Sequence, residues 1–211
     1  MKNITTILFD IDGTLLDTSD FIINSTEYAL AKFGYKLPER KVIAQNIGKS
    51  FPDFYLTLSG SSKDVEKLLE THRDFQLKNL HLSRLFLNSS KTLNSLKKRG
   101  YKMGAVTSRS KITSFQTLEN AGIAHFFDVV ISAEDTTKLK PHADPLLKAL
   151  TYLKEIPTKT VMVGDSHFDI EAGKNAGTKT IRATYGFHKD NLDSPAPDFF
   201  IDDIGELLEL L

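Results

Sequence analysis

Two aspartates separated by one residue, Asp10 and Asp12, follow an apolar run that ends at Phe9 and immediately precede Gly13. The carboxyl end of a strand is where an open α/β sheet places its active site. A turn at Gly13 would let both carboxylates approach one bound group. Such acids can divide the work, one as nucleophile or metal ligand and the other as proton carrier. Because Asp-Gly is also common in ordinary turns, the other motifs must decide.

The segment Phe-Asp-Ile-Asp-Gly-Thr at 9–14 resembles motif I of the haloacid dehalogenase superfamily, Asp-x-Asp-Gly-Thr. The resemblance implies a magnesium-dependent phosphotransferase that works through an aspartyl phosphate. It implies that Asp10 is the nucleophile and that Asp12 is the general acid and base. It also implies that Gly13 is a substrate-binding residue.

The segment Ala-Val-Thr-Ser at 105–108 resembles motif II of the same superfamily. A hydroxyl and the backbone N–H groups after a strand can hold phosphate oxygens, which assigns Thr107 to catalysis and Ser108 to substrate binding. Taken alone, a Ser/Thr cluster before a helix is more often an N-cap. Arg109 either helps to bind the substrate or is a surface residue at the start of the helix. That helix is predicted over 111–121 from the spacing of Ile112, Phe115 and Leu118.

The segment Lys-Leu-Lys-Pro-His-Ala-Asp-Pro at 138–145 resembles motif III. A lysine held before a proline supplies a point charge for phosphate and for the nucleophilic carboxylate. The common family form has a second proline where this chain has Ala143, a difference that concerns loop stiffness rather than charge. Lys140 is therefore the predicted catalytic lysine, and Lys138 is the alternative.

Gly-Asp-x-x-x-Asp at 164–169 matches motif IV. Mg²⁺ prefers oxygen ligands in octahedral geometry and keeps several waters, so one or two carboxylates and a substrate phosphate suffice. The resemblance implies a Mg²⁺ site formed by Asp165, Asp10 and the backbone carbonyl of Asp12. It makes Asp169 a ligand through water or a supporting group. Four motifs in this order, each after a predicted strand, identify the chain as a member of the superfamily.

The elements that position these motifs are predicted by apolar runs that end at Phe9, Val106, Ile131, Val163 and about Ala183. Helical segments between most of these runs predict an α/β fold with a Rossmann-like, doubly wound parallel sheet. Between Asp17 and Leu87 only helical patterns occur, which resembles the C1-type cap of the superfamily, inserted after the first strand. The catalytic core is then discontinuous, residues 1–16 and 86–211, with a helical cap over 17–85. Residues 204–211 are predicted to form an amphipathic helix that covers the sheet.

Composition narrows the function classes. The 211 residues include 27 basic and 27 acidic side chains, so no net field favours nucleic acid or an anionic membrane. Without cysteine there is no disulfide framework and no thiol catalysis. No apolar run approaches the roughly twenty residues of a membrane span, and a cytoplasmic monomer or small homo-oligomer is expected.

Some features near the motifs are ambiguous. Gly48-Lys49-Ser50 imitates the end of a nucleotide-binding P-loop, but the earlier glycine and the preceding strand are missing. By analogy with capped phosphatases, Lys49 contacts the leaving group of the substrate; a solvated lysine is the equal alternative. His142, His167 and His188 match no zinc pattern and are interpreted as incidental.

The resulting hypothesis is a phosphatase that hydrolyses a small phosphorylated metabolite and resembles the phosphoglycolate phosphatases. The alternatives are a pyrophosphatase and a phosphomutase similar to β-phosphoglucomutase. A third is a regulatory protein on the same fold that has lost catalysis, which the presence of every expected catalytic side chain disfavours.

Overall fold

The computed structural model describes residues 1, 3–188 and 195–211. Six strands form a parallel sheet in the order β5-β4-β1-β6-β7-β8, and β2 pairs with β3 in a separate antiparallel ribbon. The α/β fold predicted from the sequence is thereby confirmed. The strands are β1 (Thr6–Phe9), β2 (Leu16–Asp17), β3 (Arg84–Leu85), β4 (Lys102–Val106), β5 (Val129–Ile131), β6 (Thr160–Gly164), β7 (Lys179–Ala183) and β8 (Phe199–Ile201).

Helices connect and cover these strands. In chain order they are α1 (Ser19–Lys32), α2 (Arg40–Gln45), α3 (Phe51–Ser59), α4 (Val65–Lys78), α5 (Ser89–Lys98), α6 (Lys111–Asn120), α7 (Asp144–Leu153), α8 (His167–Ala176) and α9 (Leu207–Leu210). Among these, no helix has the length and apolarity needed to cross a bilayer.

The central strand β1 is buried on both faces. Because side chains alternate along a strand, Ile7 and Phe9 join an apolar cluster with α5 and α9, whereas Leu8 joins a second cluster with α7 and α8. Coverage on both faces is what makes the strands of a parallel sheet near-continuous apolar runs. The sheet is therefore doubly wound, and its buried middle lies under the predicted site.

Helices α1 to α4 lie between β2 and β3 and share an apolar cluster of their own, which includes Phe21, Leu30, Tyr55 and Leu68. The chain enters this helical segment through β2 and leaves through β3, with Leu16 opposite Leu85 and Asp17 opposite Arg84. The two connections predicted near Asp17 and Leu87 thus run side by side.

The buried face of α6 differs from the one that its apolar spacing suggests. Ile112 and Phe115 are exposed, whereas Thr113, Ser114 and Thr117 are buried with Leu118. The physical reason is a buried charge, since the Thr117 hydroxyl accepts a hydrogen bond of 2.8 Å from Nη1 of Arg109. A buried guanidinium requires polar partners, so this helix turns hydroxyls inward.

Two further elements depart from the sequence prediction. Strand β8 was not predicted, because it has three residues and lies at the sheet edge with Phe199 and Phe200 exposed. The C-terminal helix begins with a 3₁₀ turn at Ile204–Glu206 and continues as the short α9. Ile204 and Leu207 are buried against the sheet, so the covering role is confirmed although the helix is shorter than expected.

Buried His72 makes the helical segment sensitive to acid. Its ring lies 2.8 Å from the Tyr55 hydroxyl at Nδ1, and burial, followed by the charge of Arg109, lowers the pKa of His72 to about 3. An unfolded histidine has a pKa of about 6.5. Between these values only the unfolded state binds a proton at His72, and this proton uptake favours unfolding. The neutral His72 therefore causes no loss of unfolding free energy above about pH 6.5, and a growing loss as the pH falls below it.

We therefore predict that wild type loses about 2 kcal/mol more unfolding free energy than His72→Gln between about pH 7.5 and about pH 5. Urea denaturation at several pH values measures the difference. His81→Gln, which changes an exposed histidine, is the matched control and should follow wild type. Parallel pH profiles for wild type and His72→Gln would contradict the buried neutral histidine.

Candidate active site

The carboxyl ends of three adjacent strands bring the motifs together. Strand β1 lies between β4 and β6, so Asp10, Thr107 and Asp165 follow neighbouring strands at one edge of the sheet. They line a cavity to which the helical segment also contributes residues. The other predicted site residues on this cavity are Asp12, Lys49, Ser108, Arg109 and Lys140.

Lys140 links the motifs at the bottom of the cavity. Its Nζ lies 2.5 Å from Oδ1 of Asp10 and 2.7 Å from Oδ1 of Asp169, and it donates to the Val106 carbonyl at 3.0 Å. The side chain is 4% exposed. Burial alone would lower the pKa of Lys140, but the two carboxylates more than offset burial and raise it, so the ammonium stays charged.

Three buried carboxylates, two of them paired with Lys140, lie close to one another. Asp10, Asp165 and Asp169 each place an oxygen within 4.8 Å of the others. Burial raises the pKa of Asp10 well above its usual range, an effect that Lys140 opposes and that Asp169, Asp12 and Asp165 reinforce. Burial, with Asp169 next in importance, raises the pKa of Asp165 to about 7. Such a cluster of oxygen donors fits a divalent cation, although the buried guanidinium of Arg182 already supplies some positive charge near Asp165 and Asp169.

Asp165 is held by close approach of the backbone. Its Oδ2 accepts hydrogen bonds from the N–H groups of Phe187 at 2.7 Å and His188 at 3.4 Å. A Cβ added at Gly186 would lie 2.4 Å from that oxygen, and one added at Gly13 would lie 2.3 Å from it. Gly13 therefore makes room for Asp165, and the structure does not place it on the cavity wall.

Asp169 supports the site from the first turn of α8 and does not line the cavity. Ser166 is the N-cap of this helix, and its N–H donates to Oδ2 of Asp169 in a reciprocal capping box. The other carboxylate oxygen accepts from Lys140. This geometry agrees with the supporting role that was one of the two alternatives for Asp169.

Asp12 has both carboxylate oxygens engaged. Its Oδ1 accepts from the Thr18 hydroxyl at 2.6 Å, and its Oδ2 lies 2.8 Å from Nε of Arg109. The carbon of the Arg109 guanidinium lies 4.8 Å from the centre of the Phe21 ring. Arg109 is 1% exposed, so the alternative of a surface residue at the helix start is wrong.

The helical segment reaches the cavity through the turn after α2. Lys49 is half-buried there, with Nζ 3.5 Å from the Thr57 hydroxyl, and the carbonyl of the adjacent Gly48 accepts from Ser108 at 3.4 Å. Thr107 is buried, and its hydroxyl accepts from the N–H of Arg109 at 3.1 Å. Lys49 thus lines the same cavity as the catalytic motifs.

Comparison with known proteins agrees with this geometry. The model of the haloacid dehalogenase-like hydrolases matches residues 7–183. The chain belongs to this family. Pyrophosphatase PpaX of Bacillus mycoides (strain KBAB4) is 36% identical over 210 residues, which cover 99% of this chain and 97% of that protein.

Solved structures of the hydrolase family have the same fold. A haloacid dehalogenase-like hydrolase from Bacteroides fragilis has a TM-score of 0.90 at 28% identity, covering 97% of this chain and 99% of its own. A predicted phosphoglycolate phosphatase from Haemophilus somnus has a TM-score of 0.89 at 25% identity, covering 100% and 99%. The family membership and the enzyme class inferred from the motifs are confirmed.

The sequence patterns assign no role at the site to Ser166 or Gly186, and they leave His188 as incidental, although its N–H binds Asp165. Ser166 and His188 line the cavity, and Gly186 packs against Asp165. A serine three residues before Asp169 is a recognisable capping-box pattern and could have been found. Gly186 and His188 come from a loop after β7 without a motif of its own, so their positions follow only from the fold.

The buried charge network of the hydrolase gives a stability prediction. Lys140→Met leaves Asp10 and Asp169 without their shared cation, and it should lower the unfolding free energy by about 3 kcal/mol in metal-free buffer near pH 8. Lys138→Met is the matched control because this lysine is exposed, and it should change stability by less than about 0.5 kcal/mol. Denaturant titration of both variants measures this, and equal losses would show that Lys140 is not the residue that balances the carboxylates.

Proposed function

We propose that this hydrolase is a Mg²⁺-dependent phosphatase that cleaves a small phosphorylated metabolite through an aspartyl phosphate on Asp10. The observation that carries the proposal is the environment of Asp10. It lies at the end of the central strand, on the cavity wall, 2.5 Å from a charged lysine and beside two further carboxylates. A carboxylate so placed can approach an electrophile whose charge the same surroundings neutralise.

The cation site is proposed from the donor set. Asp10 and Asp165, with the backbone carbonyl of Asp12, would hold Mg²⁺, and Asp169 would support them through Lys140 and Ser166. When bound, Mg²⁺ supplies positive charge to the phosphate oxygens. Burial is the main cause of the raised pKa values of Asp10 and Asp165, and a bound cation would lower both.

The chain's own residues then perform two displacements. A carboxylate oxygen of Asp10 bonds to phosphorus as the ester P–O bond breaks, and Asp12 gives its proton to the departing oxygen. Lys140 and Thr107, with Ser108 beside them, balance the charge on the phosphoryl oxygens. Water next attacks the phosphorus, passes its proton to Asp12, and releases phosphate and Asp10.

We further propose that residues 17–85 act as a cap over a catalytic core of residues 1–16 and 86–211. The support is that α1 to α4 have a separate apolar cluster and join the rest through the paired strands β2 and β3. Movement about this ribbon would admit substrate, and closure would exclude water from the cavity. Lys49 would then approach the leaving group. The cytoplasmic location and the monomer or small homo-oligomer stay predictions.

Hydrolysis is favoured over phosphoryl transfer within a sugar. Mutases of this superfamily often have Glu where Gly164 stands in this chain, and a Cβ added at Gly164 would lie 2.3 Å from Cγ of Asp169. The named relatives point the same way, since they are a pyrophosphatase and a predicted phosphoglycolate phosphatase. Phosphoglycolate and pyrophosphate are therefore the first substrates to test.

Purified protein with Mg²⁺ should release inorganic phosphate from at least one of phosphoglycolate, pyrophosphate and hexose phosphates. Asp10→Asn keeps the shape and removes the attacking anion, so turnover should fall by about 10³-fold or more. Asp74→Asn, on the exposed surface of α4, is the matched control and should retain activity. Interconversion of hexose phosphate isomers with little free phosphate would favour the mutase, and substantial activity of folded Asp10→Asn would exclude this nucleophile.

Metal binding can be tested without turnover. Mg²⁺ relieves repulsion among buried carboxylates and should therefore stabilise the folded protein. At a Mg²⁺ concentration roughly tens of times its Kd, the melting temperature of wild type should rise by several degrees. Asp165→Asn should reduce this shift sharply, and Asp74→Asn should retain it. A melting temperature of wild type that does not respond to Mg²⁺ would contradict the proposed cation site.

A further inference from the structure

Arg109 has hydrogen-bonding capacity that the scheme above does not use. Its guanidinium is buried and lines the cavity, with Nε paired to Asp12 and Nη1 donating to Thr117. Within residues 1, 3–188 and 195–211, neither Nε nor Nη2 makes a hydrogen bond, although Nε lies 2.8 Å from Oδ2 of Asp12. A buried donor on a charged group is costly to leave unsatisfied, which indicates a partner that enters the cavity.

A negative group on the leaving group would supply the missing partner. The phosphoryl group is served by Lys140 and Thr107, whereas Arg109 contacts Asp12, the acid proposed to protonate the departing oxygen. Arg109 would therefore lie beside the first atoms of the leaving group. Lys49 adds a second positive charge from the helical segment, with no carboxylate within 4.0 Å in the described part of the chain.

The contacts of Asp12 point to a second consequence. Oδ1 accepts a hydrogen bond from Thr18 and Oδ2 forms an ion pair with Arg109, so both oxygens are oriented by groups other than the substrate. A negative group on the substrate would compete with Asp12 for the guanidinium, because Nη2 offers it a hydrogen bond beside the Nε that Asp12 occupies. Recognition of that group would then release one oxygen of Asp12 towards the leaving group.

We propose that Arg109 is a specificity residue that selects phosphate compounds with a second negative group close to the scissile bond, and that it exchanges between Asp12 and this group when substrate binds. The second group is a carboxylate or a second phosphate. This inference rests on the proposed phosphatase function and specifies its substrate class. Thr117 and the Phe21 ring are the positioning groups that keep the guanidinium in place.

The test compares phosphoglycolate with its neutral amide, two esters of similar size that differ in the second charge. With Mg²⁺, wild type should show a kcat/KM at least about 30-fold higher for phosphoglycolate, the ratio expected for a charge-assisted hydrogen bond. Arg109→Met should bring the ratio close to one. Lys111→Met is the matched control, because this lysine is exposed and lies outside the cavity, and the ratio should stay high.

Two measurements keep the test independent of folding. Thr117→Val keeps the Arg109 charge but removes one anchor, so it should lower the ratio several-fold. Methylguanidine added to Arg109→Ala should restore turnover of phosphoglycolate more than turnover of the amide, an effect that a merely structural arginine would not produce.

The substrate arms identify the second anion. In pyrophosphate the second negative group is a phosphate, whereas in phosphoglycolate it is a carboxylate. Arg109→Met should lower kcat/KM more for the substrate whose second group Arg109 binds. Comparable kcat/KM values for phosphoglycolate and its amide in wild type would overturn the proposal, as would an Arg109→Met variant that loses both activities equally. In those cases phosphate release shows that the phosphatase function still holds. Release from hexose phosphates alone would overturn only the role of Arg109, whereas no release from these three compounds or from hexose phosphates would overturn both.

Discussion

The buried contact between Lys140 and two carboxylates is the interaction on which the rest of the site depends. One ammonium joins Asp10, which follows β1, to Asp169 in α8, and it also binds the carbonyl of Val106 at the end of β4. Three segments far apart in sequence are thereby fixed around a single charge. Because burial of an unpaired ion is costly, these groups stabilise one another only as a set.

The balance of charge explains why the site is suited to phosphate chemistry. Asp10, Asp12, Asp165 and Asp169 face three buried cations, Lys140, Arg109 and Arg182, so the four carboxylates exceed the cations by one. Burial is the main cause of the raised pKa values of Asp10 and Asp165, and the neighbouring carboxylates add to it. A divalent cation would balance the excess negative charge of the carboxylates, and the site could then stabilise the negative charge of a phosphoryl group. Fixed charges of this kind need little rearrangement during the reaction, which is how such sites lower a barrier.

Sequence predicts those features of the molecule that local patterns govern. Strands such as β1 are apolar on both faces, so apolar runs in the sequence predict where they end. The motifs that follow these runs indicate Asp10, Lys140 and Asp165. The position of Arg109 was not predictable, because it depends on Asp12 and on hydroxyls that α6 turns inward. For the same reason, apolar spacing indicates the wrong buried face for α6. The glycine at 186 is needed only because two loops approach Asp165.

The central claim is that Asp10 becomes phosphorylated, and the stereochemistry at phosphorus tests it most directly. A substrate made chiral at phosphorus with oxygen isotopes should be hydrolysed in labelled water with overall retention, because two in-line displacements each invert the centre. Rapid quenching during turnover should show the phosphoryl group on the peptide that contains Asp10. Overall inversion, with no phosphorylated peptide, would mean that water attacks the substrate directly and would contradict the account.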